Sequence, residues 1–233
     1  REMKPLFVVA LALGLASCSA PQDDSLFPLA KGHRWHYDIT TEWENKVVEH
    51  EPRIIETLGS DSLDSGRAWR RRSDSGIEYW LRSDAAGIYR VASKSELDET
   101  PLPDKEPRFV LKAPVAVGTT WRASTTAYLL RRRQEFPPEI RHSHPAVPMN
   151  YTIEALGEKV ATRAGSFEHC VRVKGVAALR LFADPVVGWK DMALTTTEWY
   201  CPGAGLVKLL REEPAESTFL TGGKLTMELV DFH

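Results

Sequence analysis

Between Trp35 and Trp43 the chain alternates with a period of two. Trp35, Tyr37, Ile39, Thr41 and Trp43 fall on one side, His36, Asp38, Thr40 and Glu42 on the other. Such a run fits a half-buried β-strand, because successive side chains of a strand point to opposite faces. The shared face is largely aromatic, so the sheet it belongs to must bury a bulky inner surface. Short strand-like runs follow at 46–58, interrupted near Pro52, then at 67–73 and 77–82, a hairpin around Ser75-Gly76, and at 88–92. Residues 93–107, rich in Pro, Asp, Glu and Lys, are expected to form a loop. Strands resume at 109–111, 121–130, 151–160, 170–181, 193–200, 206–212 and 224–232.

No segment carries a long helical stripe with caps. Residues 128–134 could add a short helix, though Thr125 and Thr126 before them lean towards strand. Pro137, Pro138, Pro145 and Pro148 make 135–149 irregular. Roughly ten short strands with frequent turn signals predict an all-β chain. The expected architecture is an antiparallel, strongly curved sheet with little helix, and half-barrel, barrel and sandwich stay open.

One internal echo stands out. Pro28-Leu29-Ala30-Lys31-Gly32-His33-Arg34-Trp35 matches Pro114-Val115-Ala116-Val117-Gly118-Thr119-Thr120-Trp121 at Pro, Ala, Gly and Trp. Proline presets a turn, glycine permits a tight reversal, and tryptophan plugs the next strand into the core. The pair marks either two halves of one curved sheet or a convenient way to begin a strand, and the second reading is favoured.

The amino terminus addresses location. Lys4 supplies a positive charge, and residues 6–16, LFVVALALGLA, form an unbroken apolar or glycine run. A membrane-spanning helix needs about 20 residues, so this length suits the central region of a secretory signal peptide. Arg1 and Glu2 precede Met3 and are set aside as a start-site artefact. Leu15-Ala16-Ser17-Cys18 resembles the bacterial lipobox, an aliphatic residue and two small ones before a cysteine. The resemblance implies thioether attachment of diacylglycerol at Cys18, cleavage before it, and acylation of the new amine, palmitate being a usual chain. Two or more acyl chains anchor stably where one does not. Ser19 follows the cysteine, and in the sorting rule that comes with the resemblance the lack of Asp there directs the protein to the outer membrane, facing the periplasm. The expected layout is a signal peptide at 1–17, a lipidated tether at 18–26 and one β-rich domain at 27–233.

Beyond residue 17 the chain holds 28 basic and 31 acidic side chains, since the first segment removes only Arg1, Lys4 and Glu2. A near-neutral balance gives no electrostatic footprint for nucleic acid. With Cys18 on lipid, Cys170 and Cys201 remain. A disulfide between them is favoured in an oxidising compartment, two unpaired buried thiols being the alternative. A reactive thiol has no support beyond His169, and neighbours in a strand face opposite ways.

Several motifs resemble those of a family of uncharacterised bacterial outer-membrane lipoproteins. They are Phe27-Pro28-Leu29-x-x-Gly32-x-x-Trp35-x-Tyr37, then Pro114-x-x-x-Gly118-Thr119-Thr120-Trp121, then Thr162-x-Ala164-Gly165-Ser166-Phe167-x-x-Cys170-Val171-x-Val173, and finally Thr197-Glu198-Trp199-Tyr200-Cys201-Pro202-Gly203-Ala204-Gly205-Leu206-Val207-Lys208. The blocks keep family order over nearly the whole chain after the tether, departing at Ala204, where valine is usual. The resemblance implies an extracytoplasmic β domain with no assigned catalysis. Gly203-x-Gly205 reads as a turn, since a phosphate cradle would need a following helix.

Candidate chemistry is sparse. His142-x-His144 would share a strand face but lies in the proline-rich segment without further ligands, so no metal or other cofactor is expected. His33 and His36 face opposite sides. No G-x-S-x-G, H-E-x-x-H, Walker or Rossmann pattern occurs. The triplets Arg70-Arg71-Arg72 and Arg131-Arg132-Arg133 read as solvated edges, with contact to lipid head groups or envelope phosphates as the alternative. Trp35 and Trp43 fill a core or line an apolar groove. The expected function is a non-catalytic binding or assembly module of the cell envelope. Its partners are the membrane, through the lipid, and an envelope protein. A carrier of an apolar ligand is the rival, and an unrecognised envelope hydrolase the third reading.

Overall fold

The computed structural model describes residues 24–133 and 146–233. The alternation at Trp35 becomes strand β1 (Arg34–Trp43), whose aromatic and aliphatic side is buried along its length. The strands that follow are β2 (Val48–Leu63), β3 (Gly66–Ser73), β4 (Glu78–Asp84), β5 (Gly87–Lys94), β6 (Leu102–Lys112), β7 (Thr120–Thr125) and β8 (Arg131–Arg132). After them come β9 (Val147–Thr162), β10 (Gly165–Asp184), β11 (Gly188–Cys201), β12 (Gly205–Glu213), β13 (Leu220–Thr221) and β14 (Gly223–Phe232). The described residues contain no helix, and the all-β, antiparallel expectation is met.

Twelve strands form one sheet in the order β6-β5-β4-β3-β2-β1-β14-β12-β11-β10-β9-β7, while β8 and β13 pair separately. The sheet curls until its two edge strands approach one another and the barrel is nearly closed. No ladder joins β6 to β7; instead Arg108 Nε donates to the Ser124 carbonyl across the seam at 2.9 Å. Two meanders make up the sheet. One runs β1 to β6; the other runs through β7, β9, β10, β11, β12 and β14, and β1 pairs with β14 to join them.

The echo sits at the head of each meander with the same hydrogen bonds. Gly32 N–H donates to the Thr57 carbonyl at 2.9 Å and Thr57 N–H returns to His33 at 2.9 Å; Gly118 and Ile153, then Ile153 and Thr119, repeat both at 2.9 Å. Both glycines have positive φ, 95° and 92°. β2 and β9 each span 16 residues, and each turns through two residues into a positive-φ glycine, Gly66 or Gly165. The echo therefore marks two halves of one sheet, the reading not favoured from sequence.

Three boundaries differ from expectation, each for a physical reason. Pro52 does not interrupt β2. Thr57 N–H faces β1 and Ile54 N–H faces Asp74, so alternation turns the Pro52 nitrogen to the side where β3 has already ended. Pro148, expected in an irregular stretch, sits inside β9 in the same way, beyond the last β9–β10 pair at Asn150 and Val176; residues 134–145 of that stretch, with His142 and His144, lie outside the described residues. The expected loop at 93–107 shortens, because β6 begins at Leu102. Its prolines and charges are what an edge strand carries, and Asp104 is held by Arg90 through two bonds of 2.8 and 2.7 Å. Conversely β7 stops at Thr125, so that Leu129 and Leu130 turn inward.

The main core gathers Trp121, Tyr151, Ile153, Val173, Met192 and Leu194 with Phe27 and Leu29. A smaller cluster joins Trp35, Tyr37, Val160, Val207 and Leu229 around the two cysteines. Glu213, fully buried, accepts the N–H groups of Tyr128, Leu129 and Leu130 and the Arg211 guanidinium at 2.7 Å. That carboxylate fastens residues 128–130 to the sheet and Arg211 holds the Thr126 carbonyl at 2.9 Å, in place of the strand predicted there.

Candidate functional site

The first described residues dock where β11 turns into β12. Ser25 accepts the Gly203 N–H at 2.9 Å, Phe27 and Leu29 are buried, and Trp35 Nε1 donates to the Ala204 carbonyl at 2.6 Å. The Pro202–Gly205 reversal forms as expected, with Gly203 and Gly205 at φ 76° and 82°. That it also seats the incoming chain had no signal in the sequence. Cys18 lies outside the described residues. Six positions separate it from Asp24, at most about 20 Å of extended chain, so a lipid on Cys18 would tie this end of the barrel to a membrane.

Cys170 and Cys201 form a disulfide, both wholly buried, linking adjacent strands β10 and β11. The alternative of free thiols falls away, and His169 next door has no thiol to activate. His33 packs on Trp35 and His36 on His233, so the two histidines do part company as their spacing implied.

The arginine triplets do not behave as plain solvated edges. Arg70 and Arg72 face outward to Asp61 and Glu78, but the alternation that sends them out sends Arg71 in. Arg71 is 8% exposed, its guanidinium carbon 4.6 Å from the Phe27 ring centre and 4.2 Å from that of Trp35. Burial holds its pKa below the ordinary arginine value, and burial pushes the Tyr37 and Tyr200 hydroxyls up. In the second triplet Arg131 covers the Trp43 ring at 4.3 Å, and Arg133 Nε donates to the Leu220 carbonyl at 3.0 Å.

At the other end a ribbon projects. From Ala177 to Leu194, β10 and β11 pair only with each other, because β9 leaves after Val176 and β12 joins at Thr195. Ala183, Met192 and Leu194 pack into the core, and the Ser217 hydroxyl donates to the Ala183 carbonyl. The opposite face is apolar and open. Val186 is 95% exposed and Trp189 62%; Phe182 meets Trp189 edge-on at 5.9 Å and Phe219 at 6.3 Å. Asp184 fixes the turn by accepting the Val187 and Val186 N–H groups at 2.7 and 2.8 Å, and these bonds, Val187's first, hold its carboxyl below the ordinary range. Arg180–Asp191 and Lys190–Glu216 pairs, each 3.2 Å, rim the tip. These aromatics were not among the residues singled out from the sequence; Pro185-Val186-Val187-Gly188-Trp189, an apolar turn, was the available signal.

An open cleft of about 450 Å³ lies on the outer sheet surface beside Glu42, Glu44 and Glu212. Lys224 is the ladder partner of both Glu42 and Glu212, and Glu44 is occupied by the N–H groups of Ala215, Glu216 and Gly222.

No family model matches the chain, and no curated protein matches it. Among solved structures it is similar to a candidate lipoprotein from Parabacteroides distasonis ATCC 8503, at 15% identity over 89% of this chain and 98% of that one, with a TM-score of 0.44. A candidate exported protein with a YmcC-like fold from Bacteroides fragilis NCTC 9343 gives 14% identity, the same shares and a TM-score of 0.37. Overlap of this degree carries no conclusion about function.

Proposed function

We propose that the chain is an exported lipoprotein, anchored through lipid on Cys18 to the outer membrane and facing the periplasm, whose barrel is a non-catalytic module that docks an envelope protein. The carrying observation is the apolar ribbon tip at the end of the barrel away from the tether. β11 runs from Gly188 at the tip to Cys201 beside the docked amino-terminal segment, about 40 Å at strand rise. A lipid at one end thus leaves Phe182, Val186, Val187 and Trp189 pointing away from that membrane. An exposed apolar centre with a polar rim is the anatomy of a protein interface. The rim charges are paired off, so it offers no net cationic attraction to a lipid surface. The buried disulfide supports export, since such bonds persist in oxidising compartments.

A photo-crosslinking residue at position 189, in the native envelope, should yield a discrete protein adduct that the same residue at exposed Arg122 does not. Adducts to lipid alone, or none, would overturn the docking role. Cys18→Ala should abolish fatty-acid labelling and leave the precursor uncut at that point; retained labelling would overturn the anchor.

A further inference from the structure

We propose that Arg71 and Thr57 form a carboxylate-binding site inside the barrel. Two orphaned groups meet there. Arg71 has neither a hydrogen bond nor an ion pair among the described residues, and its Nε is buried without a partner. Thr57 is its ladder partner across β2 and β3, 1% exposed, with Oγ1 equally buried and equally unpaired. The backbone of Thr57 is already committed to Gly32 and His33, so nothing local uses its hydroxyl.

Neighbouring polar groups are engaged elsewhere. Tyr37 donates its hydroxyl to the Leu206 carbonyl at 2.8 Å, and Tyr200 donates to the Glu198 carboxylate at 2.5 Å. Removing a guanidinium from water without a counter-charge is costly, and aromatic contact on its faces offsets only part of that. Phe27 and Trp35 attract the cation over their rings but carry no conventional acceptor placed to take its N–H groups. What lacks a protein partner is therefore the N–H edge, the part that reads a planar carboxylate through paired donors. The Thr57 hydroxyl, on the same sheet face one strand over, adds a second unpaired donor. One cation stands here against an apolar wall of Phe27 and Trp35, so a singly charged carboxylate matches the site better than a doubly charged phosphate.

Such a carboxylate has two sources, a small free acid or the head of a fatty acid, and two probes separate them. The full chain in a neutral glycosidic detergent is titrated calorimetrically with acetate, octanoate and inorganic phosphate. One carboxylate should bind per chain. Octanoate well above acetate in affinity identifies an acyl ligand; equal affinities identify a small acid. Arg71→Met should weaken the better probe at least tenfold and Thr57→Val roughly fivefold, as expected for one charge-assisted and one neutral hydrogen bond. Thr57→Val keeps shape and volume, so its unchanged melting temperature separates lost binding from lost fold. No binding of either carboxylate, phosphate binding as tightly, or equal affinity in both variants would overturn the site. The docking role at position 189 is read separately and stands or falls without it.

Discussion

The two Pro-x-Ala-x-Gly-x-x-Trp openings share a sequence pattern, a glycine conformation and a set of hydrogen bonds, yet they end in different places. The first leads into β1, which has β2 on one side and β14 on the other; the second leads into β7, at the sheet edge, with β9 alone. Trp35 spends its indole N–H on Ala204 and its ring face on Arg71. Trp121 stacks on Tyr151 at 5.6 Å with its N–H buried and unpaired. The motif thus encodes a turn and the first cross-strand pair, and nothing about the neighbourhood into which the tryptophan is delivered. The meanders differ likewise: only the second carries a disulfide, and only it extends into a projecting ribbon.

That contrast can be tested at several strengths. Replacing both Cys170 and Cys201 with Ala should cost about 3 kcal/mol, from the chain entropy of the closed loop, measured by urea unfolding; a loss well below 1 kcal/mol would mean that the second meander holds without its cross-link. Trp35→Phe should cost about 2 kcal/mol, because the Ala204 carbonyl loses its donor, while Trp121→Phe, which breaks no hydrogen bond, should cost less than about 1 kcal/mol. Equal losses would erase the difference drawn between the two openings. Gly32→Ala and Gly118→Ala should each cost about 1 kcal/mol and agree closely, since both have positive φ and a Cβ at either would meet nothing within 4 Å. Unequal costs would show that the shared geometry is not equally strained. The smallest effect concerns acid. Asp184 has a depressed pKa, so its turn bonds are fully present above the ordinary carboxylate value, about 3.9, and are lost as pH falls through the folded value. Protection of the Val186 and Val187 amides from hydrogen exchange should drop over that range. The Gly32 and Gly118 amides, bonded to carbonyls, should not follow.

Much of this was legible beforehand, because strand periodicity is local. Trp35 to Trp43 alternates in the structure as it does in the sequence, the turns at Ser75-Gly76 and Gly203 to Gly205 fall where they were expected, and the favoured cysteine pair is joined. The misread boundaries share one cause. Pro52, Pro148 and the charged start of β6 are unsuitable for a strand flanked on both sides and harmless where one side is open, and openness depends on where a distant neighbour ends. The same limit hid Glu213, whose partners at Tyr128 to Leu130 are more than eighty positions away.

By itself, then, the sequence determined a β chain and the alternation of its strand faces, since both follow from residues close along the backbone. It favoured the Cys170–Cys201 pair, and the structure settled it. Only the closed sheet decided what each face would meet. In Arg70-Arg71-Arg72 alternation alone separates the middle residue from its neighbours. It took the curl of twelve strands to make one side water and the other a wall of Phe27 and Trp35, because solvent exposure is set by surfaces brought together from across the fold.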